Sequence, residues 1–484
     1  MTTAVVIGAG LGGLALAIRL QSAGVATTIV EARDQPGGCA GFWQCDGYTF
    51  DTGPTAITDP DAFAALWALS GQDMAADVTL DRIEPFCRFN WPDGTNFDLG
   101  GNDATVRAEI GKLDPADVAG YARLLDHAAG ARREFGDNAF SDLGAMVRAV
   151  PLLARYQAWR SVYFTVSRFV RNEKLRQALA FHVLLAGGNP MTASAIHAPW
   201  LAPGGLWSVR GGTNRLVAAL AALFERLGGT IRPGDAAVRI ETLGDRVTAV
   251  ETASGWRADC AMLAANSDAV HTYRDLLAGS AAARRGAERL MRRRYSPSLF
   301  LLHFGIRGTW PGIPHRMVLF GPRYREQLAD IYEHGILSPD FPISLAHPSV
   351  TDPSLAPEGC STFQALVPVP HLGRFPEDWA RIAPIMERRV LDEIGRRLIP
   401  DVHERIVTRF SHTPVDFAHD LHTHLGSAFG PEPLPAQSGW FRVHNRDDAI
   451  GNLYFVGAAT HPGAGIPGVL SSATATADLM LGRA

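Results

Sequence analysis

The sequence predicts an α/β fold in which a parallel-sheet domain, built from separated stretches of chain, is interleaved with a second domain of mixed sheet and helices. Three observations carry this. The chain opens on "VVIGAGLGGLALA", residues 5–17, a β-branched run followed by a glycine-rich turn and a helical pattern. It closes on "LYFVGAATHPGAGIPGV", residues 453–469, a second strand and glycine-rich turn feeding a helix. Its 484 residues are enough for two cores that share a cleft.

At the start, Ala4–Ile7 reads as a strand buried on both faces of a parallel sheet. Gly8, Gly10 and Gly13 then fit G-x-G-x-x-G. Leu11 to Ser22 has helical periodicity, Gly24 is a suitable helix stop, and residues 27–30 form the next strand. Glu31 follows it. Each part has a physical task in a Rossmann-like unit. Gly8 permits the turn, Gly10 lets backbone approach a pyrophosphate, Gly13 lets helix and strand pack closely, and the helix N-terminus offers N–H groups to the anion. Glu31 is placed to accept hydrogen bonds from a ribose diol.

After Glu31 come Arg33 and the glycine pair Gly37-Gly38. No second complete G-x-G-x-x-G unit for a separate NAD domain is present, so one tightly held FAD is the economical ligand. The closing turn supports this. Pro462, Gly463, Gly465, Pro467 and Gly468 keep the backbone uncrowded until a small-residue helix starts near Val469, with its positive end aimed into the cleft. Such an end suits the edge of a flavin ring that gains negative charge on reduction. The two turns therefore grip one long ligand.

Between them, residues 213–227 make an amphipathic helix, and short alternating strands run from 230 to 264. Residues 1–80, 205–267 and 410–484 are assigned to the FAD-binding domain. Residues 81–204 and 268–409 are assigned to the substrate domain.

Composition narrows the function classes. A net charge of −4 gives no field that would draw in nucleic acid. The five scattered cysteines fit a reducing compartment and neither a disulfide nor a zinc framework. The apolar N-terminus reads as strand and turn instead of a signal peptide, and no apolar run is long enough to span a bilayer. No metal is expected: His419, His422 and His424 match no standard ligand spacing.

Residues 146–185 are mostly helical by pattern and strongly basic, with Arg148, Arg155, Arg160, Arg168 and Arg171 interleaved with Tyr156, Trp159, Tyr163, Phe164 and Phe169. Two readings stay open, a helix lying in a membrane interface or a core helix with a solvated face. The arginines from 284 to 294 read as a solvated helix face.

The whole chain resembles the bacterial phytoene desaturases, flavoenzymes of carotenoid biosynthesis. The resemblance is carried by "GLGGLALAIRLQSAG", "FDTGPTAITDP", "LLAGGNP", "RGGTNRLV", "SPSLFLLHFG", "LVPVPHLG", "WFRVHNRD" and the closing "LYFVGAATHPGAGIPGV". It implies an amine oxidase-like flavoprotein fold and desaturation of phytoene towards neurosporene or lycopene. The implied partners are a lipophilic C40 polyene, a membrane surface at the inner face of the cell membrane, and oxygen or a quinone as electron acceptor. It places Gly12, Gly38, Cys39, Thr55, Gly457, Gly468 and Val469 against the FAD, with the backbone of Val238 near the adenine. Arg148 and Arg160 match basic positions offered for catalysis or for lipid headgroups.

The departures from the family are Cys39 for an arginine, Ala459 for a glycine, Ala145 where an acid precedes the first arginine, and a proline-rich segment at 196–207. Another carotenoid desaturase or isomerase and a flavin amine oxidase share these parts. A non-catalytic prenyl-lipid binding protein would be expected to have lost the flavin site.

Overall fold

The computed structural model describes residues 2–135, 143–196 and 205–483. A five-stranded, fully parallel sheet stands in the order 453–455, 262–265, 3–7, 26–30, 230–232. Its centre is the predicted N-terminal unit: strand Thr3–Ile7, helix Leu11–Ser22 and strand Ala26–Val30. Because the strand order diverges on either side of Thr3–Ile7, a crevice opens at the carboxyl ends of the strands, where such sheets bind ligands. On one face, Leu14, Leu16 and Ile18 pack with Leu220 and Phe224 of helix Thr213–Arg226 and with Ala473 of helix Ile466–Met480.

A second sheet of seven strands has the order 406–412, 298–307, 360–369, 343–346, 316–319, 87–90, 96–99, and is antiparallel except between 316–319 and 87–90. Long alternating segments such as Ser298–Arg307 form its centre, with Phe300, Leu302 and Phe304 on one face packed under helix Trp379–Arg397. The other face looks into the molecule. The basic stretch is helical in pieces, Leu143–Arg155, Val162–Ser167 and Glu173–Ala180.

Two segments pack against the sheet of the other predicted domain. Residues 268–297 pack with the parallel sheet: Ala283, Ala287 and Leu290 share a core with Val5, Ile7 and Phe455. Conversely, Phe417 packs on Leu299 and Leu301 of the second sheet. The physical reason is that the arginine-rich helix Ala281–Met291 has a small-residue face that no local pattern assigns to either sheet.

No helix among the described residues is long and apolar enough to cross a membrane.

Candidate active site

The first turn is held by its own residues. Gly8 has φ +96°, a left-handed conformation that an L side chain resists. A Cβ on Gly13 would overlap the Gly8 carbonyl oxygen, so only glycine lets the helix sit against the strand. The buried carboxylate of Glu31 accepts from the N–H of Ala9 at 2.6 Å and of Arg33 at 3.0 Å, tying the turn to the end of the second strand. The glycine pair docks beside it. Gly37 N–H donates to the Ala9 carbonyl at 2.9 Å, and the Arg33 guanidinium donates to the Gly38 carbonyl at 3.0 Å.

Asn266, at the end of strand Met262–Ala265, joins the two turns. A Cβ added at Gly10 would lie 2.9 Å from its Nδ2, and one at Gly12 or Gly457 would lie 2.7 or 2.6 Å from its Oδ1. A side chain at any of these three positions would have to displace the Asn266 amide. No motif in the sequence marks it, because Asn266 acts across more than 180 residues in both directions.

The last turn hangs on side chains that flank it, 15–18 residues away. Arg442, only 4% exposed, donates from Nε to the Thr460 carbonyl at 2.7 Å and from Nη2 to the Ala458 carbonyl at 2.6 Å. Burial without a carboxylate pushes this guanidinium down to about 10. Ser472 accepts from the Gly457 N–H, and Asn445 donates to the His461 carbonyl. The helix begins at Ile466 with Gly465 before it, and its first N–H groups have no carbonyl a turn earlier to bind. Val469 spends its own N–H on the Gly465 carbonyl. Ala459, in place of the family's glycine, is outside the left-handed region, so its methyl is tolerated.

Both turns face one cavity of about 1300 Å³, larger than the roughly 300–1,000 Å³ of a drug-sized pocket. Gly8, Gly10, Gly12, Glu31, Arg33, Gly38, Cys39, Thr55, Gly457, Gly468 and Val469 all line it. Gly13 stays behind the wall. Val238 does not line the cavity and is 48% exposed on its hairpin; Ala236 and Ala237 form the wall there, drawn in because Asp235 N–H donates to the Glu31 carbonyl. Cys39 is exposed on the cavity wall, and desolvation by the protein packed around it pushes its thiol up.

The cavity continues from the turns along the inner face of the seven-stranded sheet, past Leu299, Leu301 and Leu366 to Phe89 and Phe181. Where the two parts meet, Asp51 receives the N–H groups of Thr213 and Asn214, at the start of helix Thr213–Arg226. Burial pushes its carboxyl up to about 6. Behind it, Gln364 donates to the carbonyls of Asp51 and Gly53, and buried His303 is pushed down to about 3 by desolvation.

Arg148 and Arg160 do not line this cavity. Both are exposed in the helical layer, and the Arg160 guanidinium lies 4.6 Å over the Phe164 ring. Their candidacy for catalysis finds no support in the cavity wall, which includes neither residue. His419, His422 and His424 meet Asp420, His271 and Tyr295 respectively, and among the described residues no cluster could hold a metal. Most of the proline-rich segment at 196–207 lies outside the described residues.

The donor set fits FAD. It offers a glycine cradle at a helix N-terminus, an acid at the end of the second strand, and a second helix N-terminus across the cavity. Ser427, Ser438 and His412 also line the cavity and carry buried polar atoms with no partner among the described residues.

Comparison with known proteins agrees. The model of the flavin containing amine oxidoreductases matches residues 11–481. A lycopene-forming phytoene desaturase of Paracoccus sp. is 49% identical over 99% of this chain and 97% of its own. That of Pantoea ananas is 45% identical over 99% of both, and a neurosporene-forming enzyme of Cereibacter sphaeroides is 37% identical over 98% of this chain and 94% of its own. Among solved structures, an oxidoreductase from Methanosarcina mazei superposes with a TM-score of 0.67 at 17% identity, covering 98% of this chain and 99% of its own. A redesigned putrescine oxidase superposes with a TM-score of 0.69 at 14% identity over the whole of both chains.

Proposed function

The chain belongs to the flavin containing amine oxidoreductases and, within them, to the bacterial phytoene desaturases, and from that premise we propose that it converts phytoene to lycopene by successive FAD-dependent C–C desaturations. The observation that carries the reading is the single cavity, in which the glycine turns and the apolar inner face of the second sheet meet without a partition. Relatives at 45–49% identity are named lycopene-forming and those at 37% neurosporene-forming, which favours the longer route.

Bound there, FAD supplies the acceptor for a hydride taken from an allylic C–H bond. The chain's residues supply position and dryness. Gly8, Gly10, Gly12 and the first helix end take the pyrophosphate, with Glu31 on the ribose. Gly457 and the helix end at Gly465–Val469 would hold the ring edge, where their N–H dipoles would favour negative charge. The leucine and phenylalanine walls hold an extended polyene and exclude water, so charge developing on the substrate is spread by its own double bonds. Oxygen or a membrane quinone receives the electrons.

The substrate is soluble only in lipid, and the helical layer offers a way to meet it. Val147, Val150, Trp159 and Phe164 are exposed beside Arg148 and Arg160, a combination suited to an acyl boundary below anionic headgroups. The protein is therefore read as peripheral at the inner face of the cell membrane, with these arginines as interfacial cations.

Incubating the FAD-loaded protein with phytoene in liposomes, then separating the pigments, tests the reading: lycopene is expected, and colourless phytoene would sink it. Arg148→Gln with Arg160→Gln should lower vesicle-bound enzyme and product together, leaving product per bound enzyme unchanged. A fall in that ratio would return these arginines to the chemistry.

A further inference from the structure

A second, separate cavity of about 300 Å³ lies behind the last glycine turn, between the end of helix Ala281–Met291 and residues 436–448. Four guanidinium groups line it: Arg289, Arg293, Arg442 and Arg446. Two of them are conspicuously short of partners. Nη1 of Arg293 is buried with none, and Arg442 uses only Nε and Nη2, on carbonyls. Arg293 and Arg442 also repel each other, which adds to the burial that pushes the Arg442 guanidinium down.

The two acids on the wall are largely committed. Asp447 receives the Tyr273 hydroxyl and the N–H groups of Ala449 and Ile450, and Asp448 faces the ring of His444. Among its arginines and carboxylates the wall carries four positive and two negative charges. Like charges gathered in a concave site without matching acids are the electrostatic signature of an anion site, and guanidinium forks suit phosphate oxygens in particular.

The geometry points to a phosphate-ester subsite here, filled by the headgroup of an anionic phospholipid. The surroundings favour lipid as the source. Met291 and Phe441, each 46% exposed, flank the cavity, and helix Leu143–Arg155, with exposed Val147 and Val150, packs against Gly439–Phe441. Headgroup and acyl contacts are thus side by side.

The subsite is wired to the cofactor cavity through Arg442, which lines both and holds the carbonyls of Ala458 and Thr460. An anion in the small cavity steadies that guanidinium, so occupancy and flavin binding reinforce each other, as linkage requires. This inference rests on the membrane-facing reading above only for the source of the phosphate.

The test uses the FAD-loaded protein. Co-sedimentation is measured with phosphatidylcholine vesicles and with the same vesicles containing phosphatidylglycerol, for the unaltered chain, Arg293→Gln, Arg293→Lys and, as a charge control, Arg285→Gln, an exposed arginine outside the cavity on the helix Ala281–Met291 that precedes Arg293. Phosphatidylglycerol should strengthen binding. Arg293→Gln should lose about fivefold of that gain, Arg293→Lys less, and Arg285→Gln clearly less than Arg293→Gln, with the flavin spectrum showing that each variant is folded. An equal loss in Arg293→Gln and Arg285→Gln would mean diffuse surface charge and overturn the subsite.

In parallel, inorganic phosphate is titrated into lipid-free protein and followed by phosphorus NMR line width and by the flavin spectrum. Saturable binding that Arg293→Gln abolishes supports the subsite. The same result without any gain from phosphatidylglycerol would assign it to free phosphate and overturn the lipid source. No saturable phosphate binding, together with a gain from phosphatidylglycerol indifferent to Arg293, rejects the subsite altogether. Failure to bind any vesicle would instead count against the membrane-facing reading, leaving phosphate to decide the cavity.

Discussion

The two glycine-rich turns face the same cavity, yet they are held in opposite ways. In the first, Gly8, Gly13, Glu31, Arg33 and the Gly37-Gly38 pair lie within about thirty residues and constrain one another directly. The last turn, at 457–465, has its shape imposed from outside by Arg442 and Asn445, and from the far side of the helix start by Ser472. Apart from Asn266, which touches both turns, a turn made rigid by its own glycines and backbone hydrogen bonds does not depend on a single side chain. A turn suspended from a buried guanidinium does, because removing the cation leaves carbonyls unpaired in a dry place.

Arg442→Met should therefore have the largest effect, a loss of about 4 kcal/mol from two charge-assisted hydrogen bonds, with flavin content falling at least tenfold. Thermal unfolding and the ratio of flavin to protein absorbance would show both. If flavin content survives, the last turn is as self-sufficient as the first and the contrast fails.

Asp51 extends the comparison to a tie of much longer range, since it receives the N-terminus of a helix more than 160 residues away. Its folded-state carboxyl titrates near 6 against an ordinary 3.8, so between those values the folded chain binds more protons than the unfolded one. Stability from this group is thus lost as pH rises through that window. Asp51→Asn should flatten the decline by up to about 3 kcal/mol, measured by denaturant unfolding at pH 4 and pH 7. An unchanged difference would mean that burial there is not what sets the titration.

Gly13→Ala probes the local turn. The added methyl has to displace the helix from the Gly8 carbonyl, costing about 2 kcal/mol and weakening FAD, with Gly24→Ala elsewhere in the unit as a comparison for strain without crowding. The smallest effect is expected at Cys39. Its thiol is pushed up and so stays protonated at neutral pH, and Cys39→Ser should change flavin affinity by less than about threefold, roughly the cost of one weak contact. A large change would show that the family's arginine position remains energetically important.

The sequence by itself determined the nucleotide-binding unit, because a β-branched run, a positive-φ glycine, helical periodicity and a strand-end acid are written within a few turns of chain. Strand, helix and strand there fall within a residue of their expected limits. It also determined the membership in a flavoprotein family and the pairing of the two turns on one ligand cavity. Only the tertiary structure decided that Asn266 crowds Gly10, Gly12 and Gly457, that Arg442 suspends the last turn, that residues 268–297 side with the parallel sheet, and that Arg148, Arg160 and Val238 stand outside the cavity. The reason is physical. Periodicity and backbone constraint act over neighbouring residues and leave a pattern, whereas a buried amide reaching across hundreds of residues, or a guanidinium holding bare carbonyls in the next loop, leaves one unremarked letter whose partners are chosen only when the sheets close on each other.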